Sequence, residues 1–473
     1  MTEPGLLSFT LNGVPVDASG TPATRTLLQF VRDRGLVGTK EGCGDGDCGA
    51  CTVALAGEAA DGSSAYQAVN SCLVPIGSCA GRSVITVEGV SSGRPLHPVQ
   101  QAMVESGGSQ CGYCTPGFVM SLFAGYHEPT RTDEPLGDDC IEGNLCRCTG
   151  YAPIRRVACS LGPAVAGPPA PRLSRTRPPE HVTAGARDFH HPATLAQVLR
   201  ILTERPDAVL VAGGTDLGVE LSHHRLDPAV SVALDGVEEL QTLHIGDDEL
   251  RIGAGLPLSH IERRARGIFP ALDEMIHWFA ARQIRNRATV GGNLATASPI
   301  ADLPPVLLAL DATVSIASPD GVRETALDGF FTSYRETVLA PGEVITAVAI
   351  PRRPEVPSVS WSYKVGKRGT DDISIVAAAF RLDLDRPAGT HATITAARLA
   401  FGGVAATPAR AHAVEDALVG HRLDTPTVAR ATAALREAFT PLDDLRGSAA
   451  YRRALAGNLF EKFAHDVANG GHR

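Results

Sequence analysis

Every cysteine of this chain lies in its N-terminal part. Of the 473 residues, 11 are cysteines, the first being Cys43 and the last Cys159. The first residues lack the basic and apolar regions of a signal peptide, so we expect reduced thiols rather than a disulfide framework. Reduced cysteines that cluster at short spacings are typical ligands of metals or iron–sulfur clusters. This interpretation covers eight of them, and ordinary buried thiols account for the rest: Cys79, Cys140 and Cys159.

The first group of cysteines has the spacing of plant-type ferredoxins. Cys43, Cys48 and Cys51 are separated by four and two residues, and Cys72 follows further along the chain. With this spacing one short loop wraps a [2Fe–2S] cluster while the fourth sulfur arrives from another element. Four glycines in the loop are predicted to take positive φ and to bring main-chain N–H groups close to sulfur. They are Gly42, Gly44, Gly46 and Gly49.

The second group consists of two close pairs, Cys111 with Cys114 and Cys146 with Cys148. Each pair comes just before a predicted helix start, and helix N-termini lower the pKa of nearby thiols. Two such turns facing each other would offer four sulfurs to a second cluster. For both groups a zinc site is the alternative, because four thiolates also suit tetrahedral zinc. The uneven spacing and the glycines of the first group favour the cluster.

Together these motifs resemble the iron–sulfur half of the molybdenum hydroxylases, the family that includes xanthine dehydrogenase and aldehyde oxidase. The resemblance rests on the two cysteine groups and on segments 110–117 and 146–151, which read QCGYCTPG and CRCTGY. It implies a plant-ferredoxin-like β-grasp domain and a four-helix domain, each with one [2Fe–2S] cluster. It also implies that the helical-domain cluster lies nearest a molybdenum cofactor bound by another chain. Gln110 and Cys148 would face the pterin of that cofactor.

Two glycine motifs later in the chain favour a flavin site. No G-x-G-x-x-G stands between a strand and a helix, so a Rossmann dinucleotide site is not predicted. Consecutive glycines expose main-chain N–H groups to a pyrophosphate, although an isolated Gly-Gly is as readily an ordinary tight turn. The first motif comprises Leu210, Val211, Ala212, Gly213, Gly214, Thr215, Asp216 and Leu217, and the second Thr289, Val290, Gly291, Gly292 and Asn293.

This pair of motifs is similar to the FAD domain of the same family. The similarity implies that both motifs contact FAD, together with Phe279, Asp302, Ile345 and Lys364. The carboxylate of Asp302 can accept a hydrogen bond from a ribose hydroxyl. Phe279 is equally well explained as a core residue beside Trp278.

The predicted fold is a multidomain α+β protein. Its FAD-binding part is expected to have the two-part α+β fold of the vanillyl-alcohol-oxidase and molybdenum-hydroxylase type. The expected domains are ferredoxin-like (1–91), helical [2Fe–2S] (92–160), a proline-rich linker (161–186), FAD-binding (187–355) and a C-terminal flavoprotein subdomain (356–473). Locally, Asn12-Gly13 predicts a hairpin turn and Gly35 the end of a helix. Residues 84–87 and 373–376 are predicted strands.

Charge and hydropathy exclude two classes of partner. With 43 Lys+Arg against 52 Asp+Glu the formal net charge is −9, which argues against nucleic acid because phosphate binding needs a positive surface. No apolar run approaches the roughly 20 residues needed to span a bilayer. The expected location is the cytoplasm.

The sequence therefore predicts an electron-transfer subunit without hydroxylation residues of its own. The resemblance implies the small subunit of a bacterial xanthine dehydrogenase, passing electrons from a partner's molybdenum through both clusters and FAD to NAD+. It further implies a heterotetramer of two small and two large subunits. Three alternatives remain: the same subunit in an aldehyde or N-heterocycle hydroxylase, a free-standing NADH:acceptor reductase, and a zinc-stabilised flavin-binding regulatory protein.

Overall fold

The computed structural model describes residues 5–59, 61–91, 95–129, 134–162, 176–184, 186–368, 371–387 and 392–470. Much of the predicted proline-rich linker, including Pro163, Pro168, Pro169 and Pro171, lies outside these ranges. The chain divides into two compact units. Unit 1 contains Met1–Glu238, Pro257–His260 and Ala280–Ala288, and unit 2 contains Glu239–Leu256, Ile261–Phe279 and Thr289–Arg473.

Strands and helices alternate along the chain in short elements. The strands are β1 (Ser8–Leu11), β2 (Val14–Asp17), β3 (Thr52–Glu58), β4 (Ser64–Asn70), β5 (Ser83–Ile85), β6 (His181–Ala184), β7 (Arg187–His190), β8 (Val209–Val211), β9 (Val230–Ala233), β10 (Leu243–Ile245), β11 (Glu249–Gly253), β12 (Thr313–Ser318), β13 (Gly321–Ala326), β14 (Phe331–Ser333), β15 (Glu336–Thr337), β16 (Val344–Pro351), β17 (Ser358–Val365), β18 (Val376–Leu384), β19 (Ile394–Gly402) and β20 (Ala409–Arg410). The helices are α1 (Leu27–Asp33), α2 (Val87–Ser91), α3 (Pro98–Glu105), α4 (Thr115–Tyr126), α5 (Ala152–Ser160), α6 (Leu195–Glu204), α7 (Leu217–Ser222), α8 (Leu258–Arg264), α9 (Pro270–Trp278), α10 (Arg282–Arg285), α11 (Val290–Ala295), α12 (Leu303–Ala309), α13 (His412–Leu418), α14 (Thr425–Glu437) and α15 (Ala449–Ala468).

The first part of unit 1 is a five-stranded sheet of order β2-β1-β5-β3-β4 crossed by α1. Asn12 and Gly13 have positive φ between β1 and β2, as the hairpin prediction requires. Helix α1 begins with a capping box at Thr26. Gly35 follows the helix with φ 79°, as predicted. The predicted strand 84–87 ends earlier, at Ile85, because α2 begins at Val87. Sequence analysis did not predict β4.

Helices α2, α3, α4 and α5 form the helical part of unit 1. Pro98 occupies the first turn of α3, where its missing N–H costs nothing. Helix α4 is apolar on most of its surface and packs into a core with α3 and α5. The expected four-helix arrangement is confirmed.

The third part of unit 1 is a four-stranded sheet of order β6-β7-β9-β8, in which β7, β9 and β8 are parallel. Its apolar residues Phe189 and Val211 join the same core as Phe9 and Leu27 of the ferredoxin-like part. One continuous core therefore runs beneath both sheets of unit 1.

Unit 2 contains an antiparallel sheet of order β10-β11-β16-β12-β13 and a second of order β17-β18-β19-β20. The second sheet packs with α13, α14 and α15 around Phe380, Phe401, Phe460 and Phe463. The predicted strand 373–376 is wrong except for its last residue, where β18 begins. The main-chain N–H groups of Lys367 and Arg368 donate to the Asp372 carboxylate. This turn keeps residues 373–375, which come before β18, out of the sheet.

Among the residues that the structure describes, no helix has the length and apolar character needed to cross a bilayer.

Candidate cluster and flavin sites

The first cysteine group lies on the loop between α1 and β3. Cys43, Cys48 and Cys51 come from this loop, and Cys72 comes from a short 3-10 turn after β4. The Sγ atoms of Cys51 and Cys72 lie 3.4 Å apart. Main-chain N–H groups of Asp45 and Cys48 donate to the Cys43 sulfur at 3.3 and 3.4 Å, which is the predicted N–H···S pattern.

The glycines of this loop serve two different purposes. Gly44, Gly46 and Gly49 have φ of 77°, 88° and 66°, so the prediction of positive φ is right for them. For Gly42 it is wrong, because its φ is not positive. A Cβ at Gly42 would instead lie 2.6 Å from the Cys48 sulfur, so this glycine leaves room for a ligand.

Hydrogen bonds between the thiols of the first group shift their pKa values in opposite directions. A hydrogen bond from the Cys48 thiol lowers the pKa of Cys43 to about 5, while the same contact raises the pKa of Cys48. The hydrogen bond with Cys51 likewise raises the pKa of Cys72. The sulfurs thus interact as two pairs, Cys43 with Cys48 and Cys51 with Cys72.

The sulfur atoms of the second cysteine group also lie in pairs. The Sγ atoms of Cys111 and Cys148 lie 3.6 Å apart, and Cys146 hydrogen-bonds Cys114. The sulfurs of Cys146 and Cys148 lie 4.0 Å apart. Cys146 is held further by the Thr149 hydroxyl at 2.9 Å.

In this group the pKa values of Cys111 and Cys146 are lowered and those of Cys114 and Cys148 are raised, and local hydrogen bonds cause the lowering. Although burial opposes it, the hydrogen bonds from Thr149 lower the pKa of Cys146 to about 7. Cys114 caps α4, yet burial and the contact with Cys146 raise its pKa to about 12. Desolvation therefore outweighs the helix terminus at Cys114, contrary to the prediction.

Both groups fit a [2Fe–2S] cluster by the chemistry and pairing of their donors. A binuclear cluster takes four thiolates, two on each iron, and each group offers four sulfurs that approach two by two. Within the described residues, no three His, Cys, Asp or Glu side chains are arranged around one metal-ion position.

The two cysteine loops touch each other directly. The N–H of Leu145 donates to the carbonyl oxygen of Cys48 at 3.0 Å, and the Asn144 side chain donates to the carbonyl oxygen of Gly49 at 2.9 Å. A Cβ at Gly49 would overlap the carbonyl oxygen of Gly143, and one at Gly117 would overlap the carbonyl oxygen of Gly49. The close contact depends on these glycines.

Gln110 and Cys148 are both exposed, as are their neighbours Tyr113 and Leu145. Cys111, adjacent to Gln110, contacts Cys148 through sulfur. The structure therefore brings these residues to one exposed part of the helical domain.

The first glycine motif connects β8 to α7 in unit 1. Gly214 has φ 76°, and its carbonyl oxygen accepts from Gly218 at 2.7 Å. A Cβ at Gly213 would overlap the main chain of Arg287, whose Nε donates to the Gly213 carbonyl oxygen at 3.1 Å. Gly213 is thus required by close packing, while Gly214 is required by its backbone conformation.

The second motif opens α11 in unit 2. The N–H of Gly291 donates to Ala254 at 3.0 Å, and the N–H of Gly292 donates to the Thr289 hydroxyl at 3.0 Å. The prediction that these two glycines expose free N–H groups is therefore wrong. A Cβ at Gly291 would lie 2.7 Å from the Cβ of Ala254, so packing requires this glycine. The buried Oδ1 of Asn293 has no hydrogen-bond partner, which fits a polar ligand beside the motif.

Asp302 and Lys364 form a buried ion pair in unit 2. Asp302 Oδ2 lies 2.8 Å from Lys364 Nζ, and its Oδ1 accepts from Ser374 at 2.5 Å. Each carboxylate oxygen keeps a second lone pair, which a ribose hydroxyl can use. Phe279 follows α9 and is 9% exposed, and Ile345 is buried in β16.

Sequence analysis missed a segment that reaches all three parts of unit 1. We call residues 281–288 the linking segment. Arg282 and Arg285 pair with Asp139 and Glu142 at 2.7 and 2.6 Å. The Gln283 side chain donates to the side chain of Asn144 at 3.1 Å. The Asn286 side chain donates to the carbonyl oxygen of Ala68 at 3.0 Å, and Arg287 donates to that of Gly213. The high density of Arg, Gln and Asn just before the second glycine motif was the available signal.

Family models match four consecutive stretches of the chain. A 2Fe-2S iron-sulfur cluster binding domain matches residues 9–77, and a [2Fe-2S] binding domain matches residues 86–159. An FAD binding domain in molybdopterin dehydrogenase matches residues 183–353. The CO dehydrogenase flavoprotein C-terminal domain matches residues 361–467.

Curated relatives match nearly the whole chain. Xanthine dehydrogenase of Emericella nidulans is 34% identical over 98% of this chain, and xanthine dehydrogenase 1 of Arabidopsis thaliana is 31% identical over 97%. The chain spans 38% and 40% of the length of these relatives.

Solved structures match a smaller part. Quinoline 2-oxidoreductase from Pseudomonas putida 86 is 30% identical with a TM-score of 0.55, covering 60% of this chain and 98% of that chain. A carbon monoxide dehydrogenase from Hydrogenophaga pseudoflava that lacks the Mo-pyranopterin moiety is 28% identical with a TM-score of 0.55. In that case 60% of this chain and 96% of the other are covered.

Proposed function

Because this chain belongs to the molybdenum hydroxylase family, we propose that it is the electron-transfer component of a xanthine dehydrogenase. The chain contains two [2Fe–2S]-binding domains and an FAD-binding domain. The observation that carries the proposal is the 34% identity to a xanthine dehydrogenase over 98% of this chain. We propose domain limits at 1–91, 92–160, 187–355 and 356–473, and the matched family models support them except at the first boundary, where the helical model already begins at residue 86.

The two cysteine groups are proposed to hold one [2Fe–2S] cluster each. The first cluster takes Cys43, Cys48, Cys51 and Cys72, and the second takes Cys111, Cys114, Cys146 and Cys148. The pairing of sulfurs supports this assignment, because each pair suits one iron. The second cluster is proposed to receive electrons from a molybdenum cofactor on a partner subunit. The exposure of Gln110 and Cys148 supports partner docking at that place.

The flavin is proposed to bind through residues 210–217 and 289–293, with Phe279, Asp302, Ile345 and Lys364. A flavin accepts electrons singly from clusters and releases them as a pair to NAD+. In this chain the Lys364 ammonium holds the Asp302 carboxylate in place, which leaves its free lone pairs for ribose. The unpaired Oδ1 of Asn293 is the acceptor that the flavin would satisfy. We propose a heterotetramer of two such subunits and two molybdenum subunits.

The test compares the activity of the purified chain alone with its activity in the presence of the molybdenum subunit. Purified alone, the chain should oxidise NADH with an artificial dye and should not hydroxylate xanthine. Adding the molybdenum subunit should give xanthine-dependent NAD+ reduction. Turnover of xanthine by the single chain would contradict the proposal, because hydroxylation needs an activated metal-bound oxygen and a substrate pocket. FAD binding without any reaction with NADH would contradict the assignment of NAD+ as acceptor.

A second candidate is the same component in a hydroxylase of N-heterocycles. The specific observation in its favour is the 30% identity to quinoline 2-oxidoreductase over 60% of this chain. Assays of the reconstituted enzyme with quinoline and with xanthine separate the two candidates, because only one of these substrates should reduce the clusters.

A further inference from the structure

A small cavity lies in unit 1, and none of its lining residues is a proposed cluster or flavin ligand. Its volume is about 60 Å³. It is lined by residues from four stretches of chain, including Ser78 and Arg82 of the ferredoxin-like part, Arg177, His191 just after β7, and Asp235 just after β9.

Polar groups at this cavity lack partners. The buried Oγ of Ser78 and the buried Nε2 of His191 have no hydrogen-bond partner. Next to them Arg287 is 6% exposed, and its Nη2 also has none. Buried polar groups are ordinarily satisfied, so several unpaired groups together indicate that something else occupies the space between them.

The charges around the cavity do not balance. Arg82 Nη2 lies 2.5 Å from Asp235 Oδ2, and Arg287 Nη1 lies 3.7 Å from the same oxygen. Arg177 is also among the residues that line the cavity. The single carboxylate of Asp235 thus lies beside the guanidinium groups of Arg82 and Arg287, and Arg177 brings a further positive charge to the lining. Burial raises the pKa of the neighbouring Cys79 thiol to about 12, so this side chain contributes no negative charge at neutral pH.

We propose that this cavity binds a small tetrahedral oxyanion, phosphate or sulfate. Arginine guanidinium groups bind such anions through paired, charge-assisted hydrogen bonds, and the Ser78 hydroxyl adds a neutral donor. The volume of about 60 Å³ is far below the roughly 300 Å³ at which drug-sized ligand pockets begin. A flavin or a whole nucleotide is therefore too large to be enclosed, and only a terminal phosphate group of a nucleotide could enter the cavity.

The bound anion would connect separate parts of unit 1. The N–H of Thr176 donates to the carbonyl oxygen of Gly81 at 2.8 Å, which places Arg177 near Arg82, the residue before β5. Arg287, on the other side, donates through Nε to Gly213 of the first glycine motif. An anion on these guanidinium groups would hold the end of the proline-rich segment against both sheets.

The test is calorimetric titration of inorganic phosphate into the full-length, cofactor-replete chain in phosphate-free buffer. Binding should saturate, and sulfate should compete at constant ionic strength while chloride should not. Arg177→Gln and Ser78→Ala should each raise the dissociation constant for phosphate, the former by about tenfold or more because a hydrogen bond to a charged group is lost. Arg453→Gln, which removes another exposed arginine, should leave the constant unchanged.

Two results would overturn the proposal. One is heat that depends on ionic strength alone and is equal for phosphate, sulfate and chloride. The other is saturable binding that neither Arg177→Gln nor Ser78→Ala weakens in folded protein with full flavin content. Competition by AMP as strong as that by phosphate would support the oxyanion site and identify a nucleotide's terminal phosphate as its source. The measurement needs no partner subunit, so its outcome is independent of the proposed hydroxylase function.

Discussion

The main-chain N–H of Leu145 donates a hydrogen bond to the carbonyl oxygen of Cys48 at 3.0 Å. Leu145 precedes Cys146 in the chain, so one hydrogen bond and a few covalent bonds join a proposed ligand of one cluster to a proposed ligand of the other. This is a short bonded route between the two cysteine groups. The glycines on both sides allow it, because side chains there would push the loops apart.

Removing this hydrogen bond should slow electron transfer between the clusters. Leu145→Pro lacks the N–H donor, whereas Leu145→Ala keeps it and serves as the matched control. We expect unchanged iron content in both variants and slower reduction of the first cluster in the proline variant only, measured by flash photolysis. Equal rates in the two variants would show that electrons take another route.

Changing Cys48 to Ser should remove one cluster signal and leave the other. The wild-type chain should contain about four irons, two in each cluster, and the variant about half as many. Electron paramagnetic resonance and metal analysis measure both quantities. Cys79→Ser, at a buried cysteine outside the two groups, should keep both signals. Zinc in place of iron would refute the cluster assignment.

Gly291→Val should yield protein with clusters but without flavin. The new side chain would meet Ala254, and overpacking of this kind costs about 1–3 kcal/mol and displaces the main chain. A Cβ at Gly329 meets nothing within 4 Å, so Gly329→Val is the matched control. Flavin absorbance relative to iron content gives the result, and normal flavin in Gly291→Val would place the flavin elsewhere.

Acid should destabilise unit 1 through two adjacent histidines. His97 and His127 lie 3.0 Å apart between their Nε2 atoms, and burial lowers the pKa of each to about 4. The unfolded chain takes up these protons near pH 6.5, so stability falls as the pH drops from about 6.5 towards 4. Allowing for partial exposure, the loss is about 1–2 kcal/mol per histidine.

The matched comparison for this pair is His127→Gln, which keeps a hydrogen-bonding group but does not titrate. Its melting temperature should fall less steeply between pH 7 and pH 5 than that of the wild type. Parallel curves would show that the pair does not contribute to acid sensitivity.

Breaking the pair of Arg285 and Glu142 should be costly. Both side chains are largely buried, and their nearest atoms lie 2.6 Å apart. Arg285→Met leaves a buried carboxylate without its cation, which costs about 3–5 kcal/mol. The double change Arg285→Met with Glu142→Leu should recover much of the loss in thermal unfolding experiments. A single variant as stable as the wild type would contradict this account.

The local motifs were predictable because short segments determine them. The positive φ at Gly44, Gly46 and Gly49 follows from a loop that must turn tightly around sulfur, and the end of α1 at Gly35 follows from the residues beside it. Contacts between distant segments were not predictable. Gln283 and Asn144 are 139 residues apart, and nothing local in either segment indicates its partner.

The wrong predictions also arise from tertiary contacts and burial, which local sequence does not reveal. Gly-Gly at 291–292 has the composition of a phosphate loop, yet its N–H groups are taken by Ala254 and Thr289. The first partner is distant in sequence, so sequence analysis could not anticipate it. At Cys114 the helix terminus was evident from sequence, but the burial that outweighs it was not.

The linking segment has a consequence for synthesis on the ribosome. Its residues complete the contacts of unit 1, yet they follow both cysteine groups by more than a hundred residues in the chain. Domains emerge and fold in order from the N-terminus. The ion pairs of Asp139 and Glu142 with their arginines can therefore form only after residue 288 has left the ribosome.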